Sequence, residues 1–173
     1  MPNHLQNKKQ GEFNMRKINT ETIALTGVTA AVYMVATLAI SPIAYGSVQF
    51  RISEVMVLLA WINPSFVPGL VLGCALSNMF SPLGIIDVLF GTFHTFCSVM
   101  LISKTKNMYL ASLWPTIFSF IIGLELYLVY GSPFIASTLS VMAGELICIT
   151  LIGCIVFSIV RKNGYIMARL QKY

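Results

Sequence analysis

Residues 78–94 hold an amide, a carboxylate and an imidazole within an otherwise mainly apolar stretch. The groups are Asn78, Asp87 and His94, and the stretch lies where two apolar segments of near membrane length meet. A charged side chain at the centre of a bilayer costs roughly 2.5–3.5 kcal/mol on insertion scales, so such groups usually face a cavity or a partner. The stretch therefore predicts a polar pocket inside an apolar protein.

Four further charged side chains lie in or beside apolar segments: Arg51, Glu54, Glu125 and Glu145. Some polar residues have a simpler alternative. Arg51 and Glu54 are three residues apart and could pair at the membrane surface. Asp87 could be a first-turn acid favoured by the helix dipole, and His94 could be a hydrogen-bonded interior histidine. Glu125 and Glu145 are harder to explain in this way because they lie deeper.

The composition is that of an integral membrane protein. The chain has 173 residues, of which 57% are hydrophobic and 10% are charged, with a mean hydropathy of +0.81; soluble domains contain about 25% charged residues. A bilayer core needs about 20 apolar residues per helix, so six helices with short connections nearly use up the chain. We therefore predict an all-α fold with a basic tail (1–19), a six-helix membrane domain (20–162) and a C-terminal tail (163–173).

The basic residues predict the orientation of the helices. The predicted helices cover approximately 20–40, 54–62, 66–80, 85–103, 109–130 and 136–160. With six spans, ten of the eleven Lys and Arg residues fall on the side that holds both termini, and Arg51 alone falls on the other. The positive-inside rule makes the basic side cytoplasmic, so the protein is expected in the cell membrane with both termini inside. Topology explains the net charge of +5, and nucleic-acid binding is not expected.

Enzyme motifs are missing from the sequence. It contains no phosphate-binding loop, no nucleophile elbow and no zinc signature. The four cysteines lie in apolar segments without Cys-x-x-Cys spacing, which is typical of packing residues. We therefore expect neither an enzyme nor a bound cofactor or metal.

The predicted topology places the polar residues of the pocket in the outer half of the membrane. One Arg faces four carboxylates there, so an outward-opening cavity would favour a cation or a ligand rich in hydrogen-bond donors. On the first helix, Gly27 and Ala31 form a small-xxx-small pair that permits close approach of another helix. That helix could belong to this chain or to a partner protein.

Three segments, together with Gly144-Glu145, resemble the QueT family: Val48-Gln-Phe-Arg-Ile-Ser-Glu54, Pro68-Gly-Leu-Val-Leu-Gly-Cys-Ala-Leu-Ser-Asn78 and Ser81-Pro-Leu-Gly-Ile-Ile-Asp-Val-Leu-Phe-Gly-Thr92. The resemblance implies a substrate-binding (S) component of an energy-coupling factor (ECF) transporter, with a six-helix bundle that binds a queuosine precursor. The implied partners are a transmembrane coupling subunit, met by Gly27 and Ala31, and two ATPase subunits.

The implied ligand is a 7-deazaguanine such as 7-aminomethyl-7-deazaguanine. Under this hypothesis, Glu145 or Glu125 accepts from the guanine-like edge, Asp87 or Glu54 binds the ammonium group, and Asn78 binds the carbonyl. Arg51 and His94 complete the set of candidate binding residues. Two alternatives are an S component for another vitamin-like molecule and a self-contained carrier that uses His94 and the acids as a proton relay.

Overall fold

The structure is a computed structural model that describes residues 20–45 and 50–172, and every regular element in these ranges is helical. The predicted N-terminal tail, 1–19, lies outside the described residues. Four helices are long and apolar enough to cross a membrane: Thr20–Leu38, Ile85–Ile102, Met108–Tyr130 and Phe134–Lys162. The predicted all-helical, multi-pass membrane architecture is therefore confirmed at this level.

The first half of the chain alternates one long helix with shorter ones. α1 (Thr20–Leu38) is followed by the single turn α2 (Ser41–Ala44). A 3₁₀ helix, Ile52–Leu58, continues into α3 (Leu59–Ile62), and a second one, Pro64–Phe66, continues into α4 (Val67–Asn78). At 11 residues, Ile52–Ile62 is too short to cross a bilayer core of about 30 Å alone, as the sequence predicted.

The second half contains the longer helical stretches. α5 (Ile85–Ile102) is continuous, whereas Met108–Tyr130 is divided into α6 (Met108–Ala111), α7 (Leu113–Phe118) and α8 (Phe120–Tyr130). Pro115 has no N–H to donate to the carbonyl of Ala111, which accounts for the first interruption. Phe134–Lys162 contains α9 (Phe134–Glu145), a π-helical stretch (Leu146–Gly153) and α10 (Cys154–Lys162).

The last residues are ordered as a helix rather than as a plain tail. α11 (Gly164–Gln171) follows Asn163, whose side chain accepts from the N–H groups of Tyr165 and Ile166. The side-chain amide of Asn63 donates to the carbonyl of Leu170 at 3.1 Å and fixes α11 against the bundle. Most of the predicted C-terminal segment, 163–173, is therefore a docked helix.

Two glycines allow α1 and α4 to pack backbone against backbone. A Cβ atom at Gly69 would lie 2.6 Å from Thr29 Cβ, and one at Gly73 would lie 3.0 Å from the Cα of Ala30. Pro68, Gly69 and Gly73 in the predicted helix 66–80 are compatible either with a kink or with a close helix contact. The structure shows a close contact. Pro68 lies in the first turn of α4, where its missing N–H costs no hydrogen bond within the helix.

Replacing Gly73 with alanine should destabilise the protein by roughly 1–3 kcal/mol, because the added methyl group overlaps the backbone of α1. Thermal unfolding in a mild detergent measures the effect. Gly27→Ala is the matched control, since nothing lies within 4 Å of a Cβ at that position on α1. Equal melting temperatures for the two variants would show that this close contact is unimportant.

The two ends of the bundle differ in charge. At one end, Tyr45 donates to the carbonyl of Ser77 and Arg51 pairs with Asp87; we call it the acidic end. At the other end, Trp61 donates to the carbonyl of Lys106, and the Arg161 guanidinium lies 5.4 Å from the centre of the Trp61 ring; we call it the basic end. Between them lies an apolar core that includes Leu58, Leu70 and Ile149.

Candidate binding site

All seven residues predicted to form the site are buried, with at most 5% of their surface exposed. They are Arg51, Glu54, Asn78, Asp87, His94, Glu125 and Glu145. Burial of this many polar side chains in one small membrane protein requires that they satisfy one another or await a ligand. Their individual partners separate these two possibilities.

Arg51 pairs with Asp87, which lies in the first turn of α5. The distance from Arg51 Nη2 to Asp87 Oδ1 is 3.4 Å, and Nε of Arg51 donates to the carbonyl of Ala44 at 3.3 Å. The Tyr45 ring lies 5.3 Å from the guanidinium carbon. Arg51 therefore does not form the surface pair with Glu54 that a spacing of three residues allowed, and Asp87 is an ion-pair partner as well as a first-turn acid.

Glu54 is held by α1. The Tyr33 hydroxyl donates to Glu54 Oε1, and the Thr37 hydroxyl donates to Ser53 Oγ at 2.7 Å. Sequence reasoning missed Tyr33 and Thr37. Their spacing was a usable signal, because Thr29, Tyr33 and Thr37 form an i, i+4, i+8 polar stripe on one face of an apolar helix.

Asn78 connects α4 to α5. Its Nδ2 donates to the carbonyl of Asp87 at 3.1 Å and lies 3.4 Å from Cys74 Sγ. Gly91 makes this approach possible, since a Cβ there would overlap the Asn78 amide. The amide donor of Asn78 is therefore committed within the protein, and its free atom is the acceptor Oδ1. This differs from the expected role of Asn78 as a donor to a ligand carbonyl.

His94 is a hydrogen-bonded interior histidine. Its Nε2 lies 3.0 Å from the carbonyl of Pro115, which also accepts from the Ser119 hydroxyl. His94 lies on α5, the helix that also carries Asp87. The backbone bond fixes the ring between α5 and α7.

Glu125 and Glu145 carry oxygens without a partner among the described residues. Both carboxylate oxygens of Glu125 and Oε2 of Glu145 are buried and make no hydrogen bond there. Glu125 lies on α8, which packs against α5 and α9, and Glu145 is the last residue of α9. Glu145 lies about three turns into its helix, deeper than predicted, because that helix begins at Phe134.

The unpaired atoms of the site are mainly acceptors. Among the seven site residues they are Glu54 Oε2, Asn78 Oδ1, Glu125 Oε1 and Oε2, and Glu145 Oε2. A buried polar atom without a partner costs about 1–3 kcal/mol, and more if it is charged. A ligand with several N–H donors would satisfy these atoms together. Within the described residues no group of three or more His, Cys, Asp or Glu side chains could hold a metal ion.

The fold and this site define a multi-pass membrane protein with buried, unpaired acceptor atoms among its helices, which a small polar molecule with several N–H donors would satisfy. The sequence profile of the QueT transporter family matches residues 23–162. The chain belongs to the QueT transporter family, which confirms the resemblance found in the sequence.

A curated relative supports the same assignment. The queuosine precursor transporter QueT of Lactococcus lactis subsp. cremoris (strain MG1363) is 29% identical over 148 residues, which cover 76% of this chain and 87% of the relative. No solved structure matches the chain.

Proposed function

We propose that this chain is the substrate-binding component of an ECF-type importer and that it binds a queuosine precursor, a 7-deazaguanine such as 7-aminomethyl-7-deazaguanine. The observation that carries the proposal is the set of five buried, unpaired acceptor atoms on Glu54, Asn78, Glu125 and Glu145. A deazaguanine presents adjacent ring N–H and exocyclic amine donors, and the aminomethyl group adds a cation. The Lactococcus relative is a queuosine precursor transporter, which supports the same ligand class.

The free atoms support a specific assignment of roles. Glu125 has two free oxygens and can accept both donors of the guanine-like edge. Glu54 has a free Oε2 and suits the ammonium group better than Asp87, whose carboxylate is occupied by Arg51. Glu145 Oε2 and Asn78 Oδ1 are further acceptors. The ligand carbonyl would be bound by Arg51, whose hydrogen bonds to Ala44 and Asp87 use Nε and Nη2.

The proposed membrane topology has six passes with both termini in the cytoplasm. Four passes are the long apolar helices, and the stretches Ile52–Ile62 and 64–78 would form the other two, with Ile52–Ile62 itself covering only part of the bilayer core. The basic residues of the described chain, apart from Arg51, lie in the connection after α5 or beyond Val160, which supports a cytoplasmic basic end. The buried acids then lie in the outer half of the membrane and receive ligand from outside.

The proposed partners are a transmembrane coupling subunit and two ATPase subunits. Gly27 and Ala31 lie on the exposed side of α1, opposite the face that packs on α4, and nothing within 4 Å would meet a side chain at Gly27. This face permits close approach of a partner helix. The sequence has no phosphate-binding loop, so the energy for transport would come from the ATPases.

Binding and uptake measurements test the proposal in two stages. Calorimetry of the purified protein should show tight binding of 7-aminomethyl-7-deazaguanine, its nitrile relative or queuine, and no binding of common vitamins. Proteoliposomes should then accumulate the bound precursor only when the coupling subunit, the ATPases and ATP are present. Binding of a vitamin and of none of these three compounds would contradict the proposed ligand. Uptake by this chain alone under a pH gradient would contradict the proposed dependence on a coupling subunit and ATPases.

A further inference from the structure

A cavity lies at the basic end of the bundle, away from the buried acids. Its volume is about 380 Å³, and it is open to one side of the bundle. Its lining comes from the end of α3, the connection after α5, the start of α6 and the last turn of α10. The lining residues are Trp61, Lys106, Asn107, Met108, Tyr109 and Arg161.

Hydrogen bonds and a ring contact fix the frame of this cavity. Trp61 Nε1 donates to the carbonyl of Lys106 at 3.1 Å, which joins α3 to the connection after α5. Asn107 caps α6 by accepting from the N–H of Tyr109 at 2.9 Å. The Arg161 guanidinium lies over the Trp61 ring. Three separate parts of the chain therefore meet in one fixed arrangement.

The cavity carries positive charge without a counter-charge. Lys106 and Arg161 line it together with four uncharged residues. In the described part of the chain the one salt bridge is Arg51–Asp87, at the other end of the bundle, so neither cation is paired with a carboxylate there. The N–H groups of a lysine and an arginine that are not engaged by an acid are well suited to bind a phosphate.

We propose that this cavity binds the headgroup phosphate of an anionic membrane phospholipid. Trp61 and Tyr109 are amphipathic aromatic residues of the kind enriched at the membrane–water interface, which places the cavity at headgroup level. Basic pockets between membrane helices are typical sites for acidic headgroups. The rings of Trp61 and Tyr109 supply apolar surface for the first part of the acyl chains, which a free phosphate ion would not use.

Native mass spectrometry of the whole protein in mixed micelles tests this site. Phosphatidylglycerol is titrated against phosphatidylcholine, and the bound lipid is counted for a Lys106→Gln/Arg161→Gln variant. The matched control is Lys104→Gln/Lys162→Gln, which removes the same charge from exposed neighbours that do not line the cavity. General electrostatic attraction to an acidic surface falls equally in both variants. A difference in their phosphatidylglycerol affinity is therefore caused by the residues that line the cavity.

The expected result is a phosphatidylglycerol affinity about tenfold or more lower in the cavity variant than in the control, because only the cavity variant loses charge-assisted hydrogen bonds to the phosphate, each worth about a factor of ten or more. Gel filtration and thermal unfolding verify that both variants are folded. Equal losses of phosphatidylglycerol affinity in the two variants would contradict the proposed lipid site. Stabilisation of the lipid-free protein by millimolar inorganic phosphate to the same extent as by phosphatidylglycerol would overturn the assignment to a lipid.

Discussion

Replacing Glu125 with glutamine is expected to weaken binding of 7-aminomethyl-7-deazaguanine at least about a hundredfold, because the loss of one partner in a buried, charge-assisted contact costs several kcal/mol. The glutamine amide would also direct an N–H group at the donors of the ligand. Glu125 is fully buried and neither of its oxygens has a partner among the described residues, so the change should cost little folding stability. Calorimetry on the purified variant measures the affinity.

Glu21→Gln is the control for this experiment, since Glu21 is an exposed acid in the first turn of α1, at the basic end. If the Glu125→Gln variant binds the ligand with an affinity within threefold of that of the unmodified protein, Glu125 does not contact the ligand. The nitrile relative of the ligand provides a second comparison because it keeps the guanine-like edge and lacks the ammonium group. Glu54→Gln should weaken binding of the amine much more than binding of the nitrile if Glu54 receives the cation.

Replacing Arg51 with methionine is expected to destabilise the protein by about 3–5 kcal/mol, because Asp87 would remain buried without its ion-pair partner. Thermal unfolding in detergent should show a large fall in melting temperature. The double variant Arg51→Met/Asp87→Asn should be more stable than Arg51→Met alone, since it leaves no unpaired charge at this position.

An exposed arginine provides the comparison for this loss. Arg161→Met removes a cation that contacts the Trp61 ring and has no carboxylate partner among the described residues, so its effect should be small. If Arg51→Met and Arg161→Met unfold at the same temperature, the Arg51–Asp87 pair does not support the fold.

The helical architecture could be predicted because it depends on local sequence. Apolar length alone identified the four long helices, and helix starts and ends were close to the predicted positions: 85–103 was predicted where the structure has Ile85–Ile102. The division of Met108–Tyr130 into three segments was not predicted. Pro115 was noted, but how a helix accommodates a proline depends on its neighbours.

The sequence also indicated that polar residues would lie within the apolar bundle, where all seven are buried, whereas their pairing could not be predicted. Counting residues from the helix ends places Asp87, Glu125 and Glu54 at similar depth, but it gives no information about which side chains meet. Arg51 and Asp87 are 36 residues apart, and Tyr33 and Glu54 are 21 apart. Such contacts depend on the rotation of each helix about its axis, which close packing of α1 on α4 determines here.

The tight contact between α1 and α4 also determines how this protein can move. Gly69 and Gly73 bring the two backbones together, while Tyr33 and Thr37 tie α1 to Glu54 and Ser53. α1 consequently cannot separate from the other helices without breaking hydrogen bonds to residues that follow the second connection. A force applied to the exposed side of α1 would therefore move the packed helices together and leave the buried polar contacts intact.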